Sequence, residues 1–288
     1  MNDPTARGDL ALTTYRDAPT RMVSAAGADF AYRELGPDTG VPVILLTHLA
    51  AVLDNWDPRV VDGIAARHRV IAFDNRGVGA STGSTPATIE AMAADAVAFI
   101  RALRFDRVDL LGFSMGGMVA QVIAHDEPHL VRKLILAGTG PAGGEGITRV
   151  TRLSHLDTVR GLLTLQDPKQ FLFFTRTAAG RRAGKAFLGR LKERTDDRDK
   201  RLSPLSYAAQ LRAIHRWGKQ QPMDLSVIQQ PALIANGESD RMVPTNNSVD
   251  LADRLPHSDL KIYPDAGHGG IFQYHEEFVG AVLEFLAR

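Results

Sequence analysis

The sequence predicts an α/β fold, in which a mostly parallel central sheet is flanked by helices and interrupted by a helical insertion. Several short runs are apolar throughout, as expected of strands that are covered on both faces. Stretches with helical periodicity lie between these runs, and such alternation favours parallel strands joined by right-handed crossovers. A third observation, a long Arg-rich stretch with helical patterns and no convincing strand, predicts the insertion.

The first half of the chain contains four predicted strands and two predicted helices. One helix has apolar side chains at helical spacing over TIEAMAADAVAFIRALRF. The other follows Ser114 and is stopped by Pro128. The strands are VPVILLTH (41–48), HRVIAFD (68–74), VDLLGFS (108–114) and RKLILAG (132–138).

The same alternation resumes near residue 225. PALIANGESD and SDLKIYPDAGH each contain a predicted strand, NNSVDLADRL between them is a predicted helix, and HEEFVGAVLEFLAR closes the chain as an amphipathic helix. The predicted core therefore comprises residues 1–140 and 225–288, with the insertion at 141–224. An insertion above the C-terminal edge of a parallel sheet would cover the crevice where such folds bind ligands.

The charge of the insertion differs from that of the rest of the chain. Residues 141–224 contain 17 Lys and Arg against 8 Asp and Glu, although the whole chain has a formal net charge of only +1. A solvated helical face accounts for such an excess. Attraction of anionic substrates or of a membrane surface is the alternative interpretation.

Composition excludes several classes of function. The chain has no cysteine, which excludes disulfides, thiolate metal sites and cysteine nucleophiles. Its polar N-terminus lacks the apolar core of a secretory signal, and its longest apolar stretch is shorter than the roughly 20 residues that span a bilayer. We therefore expect a cytoplasmic protein that acts on a small molecule. Neither nucleic-acid binding nor membrane association is expected, and no segment predicts an oligomeric state.

The segment GFSMG, residues 112–116, fits the pattern G-x-S-x-G between a predicted strand and a predicted helix. A strand that turns abruptly into a helix brings backbones close together, so only residues without Cβ fit on either side of the serine. The turn lifts the Ser114 hydroxyl into the crevice near a helix N-terminus, where the helix dipole favours developing negative charge. Ser114 is therefore the predicted nucleophile.

A nucleophilic serine needs a base and an orienting acid. His268 lies just past the last predicted strand in a Gly-rich loop, where an imidazole can reach across the sheet edge. Asp240 follows the preceding strand and is the predicted acid, whereas Glu238 and Asp265 are the competing carboxylates. Asp265 is close in sequence to His268, which makes a direct approach between the two side chains difficult.

With these residues the chain resembles the α/β-hydrolase family over nearly its whole length. Residues 74–81, DNRGVGAS, look like the family's D-x-R-G-x-G-x-S turn. Asp240 and His268 fall where the family places its acid and base, and 141–224 looks like its lid. The region 41–56 and the lid placement are most similar to the branch of esterases and cofactor-free haloperoxidases.

The resemblance also implies an oxyanion hole. In the family one donor is the N–H after the nucleophile, here Met115, and the other comes from a loop that usually begins His-Gly. That loop reads THLAA at 47–51, so Leu49 stands in place of the glycine. Leu49 is the predicted second donor, because a backbone N–H needs no particular side chain, and Ala50 is the alternative.

The activity that these residues imply is hydrolysis of a carboxylic ester, or of a lactone or thioester, without metal or organic cofactor. Hydrolysis of carbon–carbon bonds and perhydrolysis of the haloperoxidase type are alternatives on the same triad. A serine at the turn between strand and helix argues against the dehalogenases and epoxide hydrolases of this family, which have an aspartate at that position. A non-catalytic ligand receptor on the same scaffold is the alternative from another class.

Three further motifs are assigned no chemistry. Residues 138–143 match G-x-G-x-x-G after a strand, but a dinucleotide site next needs a helix and a strand that ends in an acid. His125 and His129 are four residues apart, but Pro128 interrupts the helix that would align them. The run 171–174, FLFF, is expected to pack within the insertion, where it could also contact an apolar acyl chain.

Overall fold

The computed structural model describes residues 13–288, so residues 1–12 of the predicted core lie outside the described residues. Within the described part, eight strands form one sheet in the order β1-β2-β4-β3-β5-β6-β7-β8. The strands are β1 Arg21–Ala25, β2 Ala28–Leu35, β3 Val43–Leu46, β4 Val70–Phe73, β5 Val108–Phe113, β6 Val131–Ala137, β7 Ala232–Gly237 and β8 Ser258–Tyr263.

Strands β3 to β8 run parallel to one another, as the sequence predicts. The antiparallel strands β1 and β2 at one edge were not predicted. β1 alternates between partly and fully exposed residues, and β2 contains Arg33 and Glu34, so neither is an uninterrupted apolar run. Ala26 and Gly27 connect them with φ angles of 48° and 75°, which is the two-residue hairpin geometry with positive φ at both positions.

Helices cover both faces of the sheet. Successive residues of a strand point to opposite faces, and in β3 Ile44 and Leu46 join one apolar core with α2 and α3, whereas Val43 and Leu45 join a second core with α1 and α10. The helices of the described residues are α1 Pro58–Ala65, α2 Ile89–Ala102, α3 Met115–Asp126, α4 Val150–Thr164, α5 Lys169–Phe173, α6 Ala178–Arg190, α7 Pro204–Trp217, α8 Asn246–Arg254, α9 Gly270–Gln273 and α10 His275–Ala287.

Helices α4 to α7 lie between two neighbouring parallel strands, β6 and β7. One of these helices, α6, begins at Ala178 and ends at Arg190. Thr177 caps its start by accepting a hydrogen bond from the Gly180 N–H at 3.0 Å. Beyond its end, the Arg194 guanidinium donates to the Arg16 and Ala18 carbonyls at 2.7 and 2.9 Å, which holds the following loop against the core.

The loop DNRGVGAS after β4 has a structural role. Arg76 forms an ion pair with Asp95 of α2 at 2.6 Å. Ser81 Oγ donates to the Asp74 carbonyl at 2.8 Å and accepts the Ala31 N–H at 2.9 Å. Gly79 has φ 57° and lies against the Asp74 carboxyl, where a Cβ would overlap it. These contacts close the loop against the sheet edge.

Asp74 meets a second carboxyl from the segment between α6 and α7. One oxygen of each group accepts from the same donor, since the Leu53 N–H lies 2.9 Å from Asp74 Oδ1 and 3.2 Å from Asp199 Oδ2. Burial raises the pKa of Asp74 well above its ordinary value, and the hydrogen bond and charge of Asp199 raise it further. Asp74 therefore retains its proton to a higher pH in the folded chain than in the unfolded chain.

This pair predicts a pH dependence of stability. Because the folded pKa of Asp74 exceeds the unfolded pKa, its contribution is complete below the unfolded value, near 4, and is lost as pH rises toward the folded value. Asp199→Asn removes two of the causes that raise the folded pKa, so the variant should lose less of its free energy of unfolding than wild type between pH 4 and 7. Urea unfolding across this range measures the difference. Asp196→Asn, an exposed carboxyl of the same loop, is the control and should follow wild type; identical slopes for all three proteins would contradict the prediction.

Candidate active site

Ser114 occupies a sharp turn between β5 and α3. Its backbone has φ 56° and ψ −116°, a combination that non-glycine residues rarely adopt. The Ser114 N–H donates to the Ala137 carbonyl at 2.8 Å, and the Ser114 carbonyl accepts from Gly117 N–H at 2.9 Å and Thr139 Oγ1 at 2.8 Å. The strained turn is thus held from both sides, at the C-terminal edge of the parallel strands.

Three glycines around Ser114 allow this turn. A Cβ on Gly112 would overlap the Gly116 carbonyl, and a Cβ on Gly116 would overlap the Leu46 carbonyl of β3. A Cβ on Gly117 would lie 2.5 Å from Thr139 Cγ2. Two of the obstructing groups are backbone carbonyls, which cannot rotate away as a side chain can. The close backbone approach that the sequence predicts on both sides of the serine is therefore present.

His268 and Asp240 are in direct contact, and His268 lines the same cavity as Ser114. His268 Nδ1 lies 2.7 Å from Asp240 Oδ2, and both side chains are almost completely buried. The other oxygen, Asp240 Oδ1, accepts from the N–H groups of Met242 and Val243 at 2.8 and 3.0 Å. A carboxylate can only accept, so Nδ1 carries the proton and Nε2 is left as the acceptor nitrogen of the neutral ring.

The two competing carboxylates have other partners. Glu238 is exposed and accepts the Asp265 N–H at 3.2 Å. The Asp265 carboxylate accepts from Thr175 Oγ1 at 3.0 Å and from Thr177 Oγ1 at 2.8 Å, which ties it to the start of α6. Of the three acids that the sequence offers, Asp240 is therefore the one placed against His268.

Helix α5 forms a wall over this pair. The Phe173 ring packs against the rings of His268 and His48, with centroid distances of 5.4 and 5.1 Å. The Phe173 carbonyl accepts the Gly269 N–H at 2.8 Å. The FLFF run is thus packed, as expected, and Phe173 also lines the cavity beside Ser114.

The loop after β3 makes a tight turn at the cavity. The Ala51 N–H donates to the His48 carbonyl at 3.2 Å, and the third residue of the turn, Ala50, has φ 61°. A left-handed third residue is typical of type II turns, in which the second residue, here Leu49, has ordinary φ. Ala50 N–H is engaged, because it donates to Gln210 Oε1 of α7 at 2.8 Å. The left-handed conformation thus lies at Ala50 and not at Leu49, where glycine was expected.

His48 supports the same turn. Its Nδ1 lies 2.8 Å from the Leu49 carbonyl, which can only accept, so the proton is on Nδ1. Burial lowers the pKa of His48 to about 3, and the positive charge of Lys169 contributes to the same shift. The ring is therefore neutral at physiological pH. No pattern in the sequence predicts this role of His48, which shows there only as a member of the THLAA loop.

The cavity itself has a volume of about 230 Å³. Ser114, His268, Leu49 and Ala50 line one side, and the other side is formed by α4, α5 and α7. The lining residues on and between these helices could not be identified from the sequence, because helical periodicity does not show which face of an inserted helix meets the sheet. Their polar members are Ser154, Thr158, Asp167, Lys169 and Tyr207.

Residues 13–288 contain neither a cluster of metal-ligating side chains nor a membrane-spanning helix. No three His, Asp or Glu side chains of this range are grouped so that they could hold a metal ion. No helix of the range combines the length and apolarity needed to cross a membrane.

Comparisons with known proteins identify the family. The alpha/beta hydrolase fold family matches residues 41–273. The 2-hydroxy-6-oxononadienedioate/2-hydroxy-6-oxononatrienedioate hydrolase of Klebsiella pneumoniae is 30% identical over 81% of this chain and 80% of its own length. A proposed carbamate hydrolase, RutD of Variovorax paradoxus, is 31% identical over 89% of this chain and 96% of its own length.

A solved structure agrees with this result. An alpha/beta hydrolase fold protein from Chitinophaga pinensis is 40% identical, superposes with a TM-score of 0.90, and is matched over 95% of this chain and 99% of its own. The chain therefore belongs to the α/β-hydrolase fold family. It is an enzyme of the hydrolase class, and the resemblance and fold predicted from the sequence are confirmed.

The contact between Gly116 and β3 predicts that one added methyl group at this position lowers the stability of the protein. Gly116→Ala places a Cβ against the Leu46 carbonyl, so β3 or α3 must shift, and we expect a loss of about 1–3 kcal/mol or more in the free energy of unfolding. Gly280→Ala is the matched control, because a Cβ there meets nothing within 4 Å and α10 should gain about 0.5–1 kcal/mol from the better helix former. Denaturant unfolding of both variants measures the two effects, and a Gly116→Ala protein as stable as wild type would contradict the prediction.

Proposed function

We propose that the protein is a serine hydrolase that cleaves a carboxylic ester, or a closely related lactone or thioester, through an acyl-enzyme on Ser114. The observation that carries the proposal is the 2.7 Å contact between His268 and Asp240 beside the cavity that Ser114 lines. The order Ser, Asp, His along the chain is that of the α/β hydrolases. Helices α4 to α7 form the lid over this cavity, within the insertion 141–224.

The proposed reaction has two stages. His268 Nε2 removes the proton of Ser114 Oγ as this oxygen attacks the substrate carbonyl carbon, and the resulting imidazolium protonates the leaving alkoxide. In the second stage His268 takes a proton from water, whose oxygen attacks the acyl carbon, and the same proton returns to Ser114 Oγ as the acid leaves. Asp240 holds Nδ1–H and stabilises the imidazolium in both stages.

The negative oxygen formed at each stage needs donors. The first proposed donor is the Met115 N–H, at the start of α3, where the helix dipole also favours negative charge. The second is the Leu49 N–H, since Leu49 lines the cavity and the neighbouring Ala50 N–H already donates to Gln210.

Hydrolysis of a carbon–carbon bond beside a ketone is the second candidate. The observation that favours it is the name of the Klebsiella pneumoniae relative, whose 6-oxo substrates contain a ketone and no ester bond. Perhydrolysis remains a further reaction of the same triad. A substrate panel of esters, lactones, thioesters and vinylogous diketones, assayed side by side, distinguishes these chemistries.

The triad predicts the behaviour of three variants toward p-nitrophenyl butyrate. Ser114→Ala should abolish multiple turnover, and Asp240→Asn should lower kcat by about 10⁴-fold, because the imidazole loses its orienting acceptor. Glu238→Gln is the matched control, since it neutralises a carboxyl two residues away that does not contact His268, and it should remain close to wild type. Steady-state kinetics measure all three.

A fluorophosphonate probe provides the independent test of the nucleophile. It should label folded wild-type protein at Ser114 and leave Ser114→Ala unlabelled, as read by mass spectrometry of the peptide. Failure to label Ser114 would reject the serine mechanism. Tight ligand binding without multiple turnover on any member of the panel would instead support the receptor alternative.

The oxyanion donor is tested by removing one N–H. Leu49→Pro deletes the donor at a turn position that accommodates proline, and loss of one oxyanion donor lowers kcat by about 10²–10³-fold. Leu49→Ala keeps the N–H while shortening the side chain, so the reduction in kcat should be at least about tenfold smaller than for Leu49→Pro. Equal reductions in the two variants would show that the side chain and not the N–H is responsible.

A further inference from the structure

A second and larger cavity, of about 1080 Å³, adjoins the catalytic one. We call it the basic chamber, because its lining in the described part of the chain includes eight Arg and Lys side chains against three Asp. Half of these cations are on α6 or within two residues of its ends. Its cations without a carboxylate partner within 4.0 Å, among residues 13–288, are Arg160, Arg176, Arg181, Lys185 and Lys192.

The three carboxylates of the basic chamber do not balance these charges. Asp54 lies 2.8 Å from the buried guanidinium of Arg33, and Asp265 accepts from the two threonines described above. Asp167 Oδ1 accepts the backbone N–H of Lys169 at 2.9 Å, at the start of α5. The chamber therefore has a net positive charge inside a concave wall, a geometry that concentrates anions.

Lys169 connects the two cavities. It lines both the basic chamber and the catalytic cavity, as do Asp167 and Leu172, and it is the one Lys or Arg among the described residues that line the catalytic cavity. Its side chain is partly buried, with 23% of its area exposed, and Nζ lies 3.7 Å from Asp167 Oδ1, beyond hydrogen-bond distance. Lys169 and the loop that contains the proposed oxyanion donor line the same cavity.

With a neutral substrate, the Lys169 ammonium group would have the ion pair with Asp167 at 3.7 Å and no hydrogen bond to a carboxylate among residues 13–288. A partly buried charge without a full partner costs free energy, and Leu172 and Phe173 on the same helix offer no acceptor side chain. A carboxylate on the substrate would supply the missing acceptor and would form a charge-assisted hydrogen bond with Nζ. The neighbouring cations would attract the same group before it reaches Lys169.

We propose that the substrate carries an ionised carboxylate in addition to the reacting carbonyl, and that Lys169 binds this carboxylate and determines specificity for it. The basic chamber provides the approach for the anion. The proposal rests on the hydrolase activity proposed above and names the substrate class of the same site: the ester of a dicarboxylic acid, or an ester with a carboxylate on its alcohol part.

Paired substrates test this class. The p-nitrophenyl monoester of glutaric acid compared with p-nitrophenyl pentanoate places the charge on the acyl part, and 4-acetoxybenzoate compared with 4-acetoxybenzamide places it on the leaving group. In at least one pair, wild type should prefer the anion in kcat/KM. Lys169→Gln should reduce this preference by about tenfold, chiefly through KM, because a hydrogen bond to a charged group is lost. Lys169→Arg should restore it.

Matched charge variants distinguish the effect of the basic chamber on substrate preference from the effect of surface charge in general. Arg181 lines the chamber and its neighbour Arg182 does not, so Arg181→Gln should lower the preference for the anion while Arg182→Gln leaves kcat/KM for both esters unchanged. Raising the salt concentration from 0.01 to 1 M shortens the screening length from about 30 to 3 Å and should reduce the preference further. Equal effects of the two arginine substitutions would reject the chamber as the approach for the anion.

Binding to the inactive protein tests the inference without turnover. Monomethyl glutarate should bind Ser114→Ala in calorimetric titration, and adding Lys169→Gln should weaken this binding by about tenfold. Hydrolysis of neutral esters without preference for either anion, or unchanged binding in the double variant, would overturn the anionic substrate class and leave the hydrolase proposal intact. Absence of Ser114 labelling by fluorophosphonate, together with Lys169-dependent binding, would instead reject the hydrolase and retain the anion site.

Discussion

The close contact between the start of α3 and the end of β3 is the constraint on which the site depends. Gly116 lies directly against the Leu46 carbonyl, so the helix begins as near to the sheet as two backbones can approach. This proximity forces the chain to reverse within one residue, and Ser114 takes the unfavourable φ of 56° as a result. The cost of that conformation is offset by the hydrogen bonds on both sides of the turn and by the apolar cores on the two faces of the sheet. A wider separation between α3 and β3 would allow a more gradual turn, in which the Ser114 hydroxyl would lie within the first turn of the helix and away from the cavity.

The parallel sheet then brings the remaining groups of the site together. Ser114 follows β5, Asp240 follows β7 and His268 follows β8, and carboxyl ends of parallel strands meet at one edge. The loop after β3 brings its turn to the same place. Neighbouring strands are about 4.8 Å apart, so residues far apart in sequence are delivered within reach of one another by the order of the strands alone.

Much of this could be predicted from the sequence, and the omissions have physical causes. Apolar runs marked the four strands β3 to β6, the resumed alternation of strand and helix marked β7 and β8, and the spacing of GFSMG, Asp240 and His268 was sufficient to name the candidate triad. The hairpin β1–β2 was missed because β1 is partly exposed and β2 contains Arg33 and Glu34, so neither strand is an uninterrupted apolar run. The glycine expected at Leu49 was unnecessary, because the turn puts its left-handed residue at Ala50. Lys169 has no signal in the sequence, since its importance comes from where the inserted helix meets the sheet.

The hydrogen bond between Gly269 and the Phe173 carbonyl has a consequence for how a substrate enters and leaves. Lifting α5 alone would break this bond and separate the Phe173 ring from His48 and His268. If the bond is kept, α5 and the loop that contains His268 must move as one unit. Each opening of that kind would displace the imidazole from its working position. If substrate enters and product leaves beside a stationary α5, the His268 imidazole keeps its position between successive turnovers. The same coupling means that hydrogen exchange at the Gly269 amide reports directly on how often the wall opens.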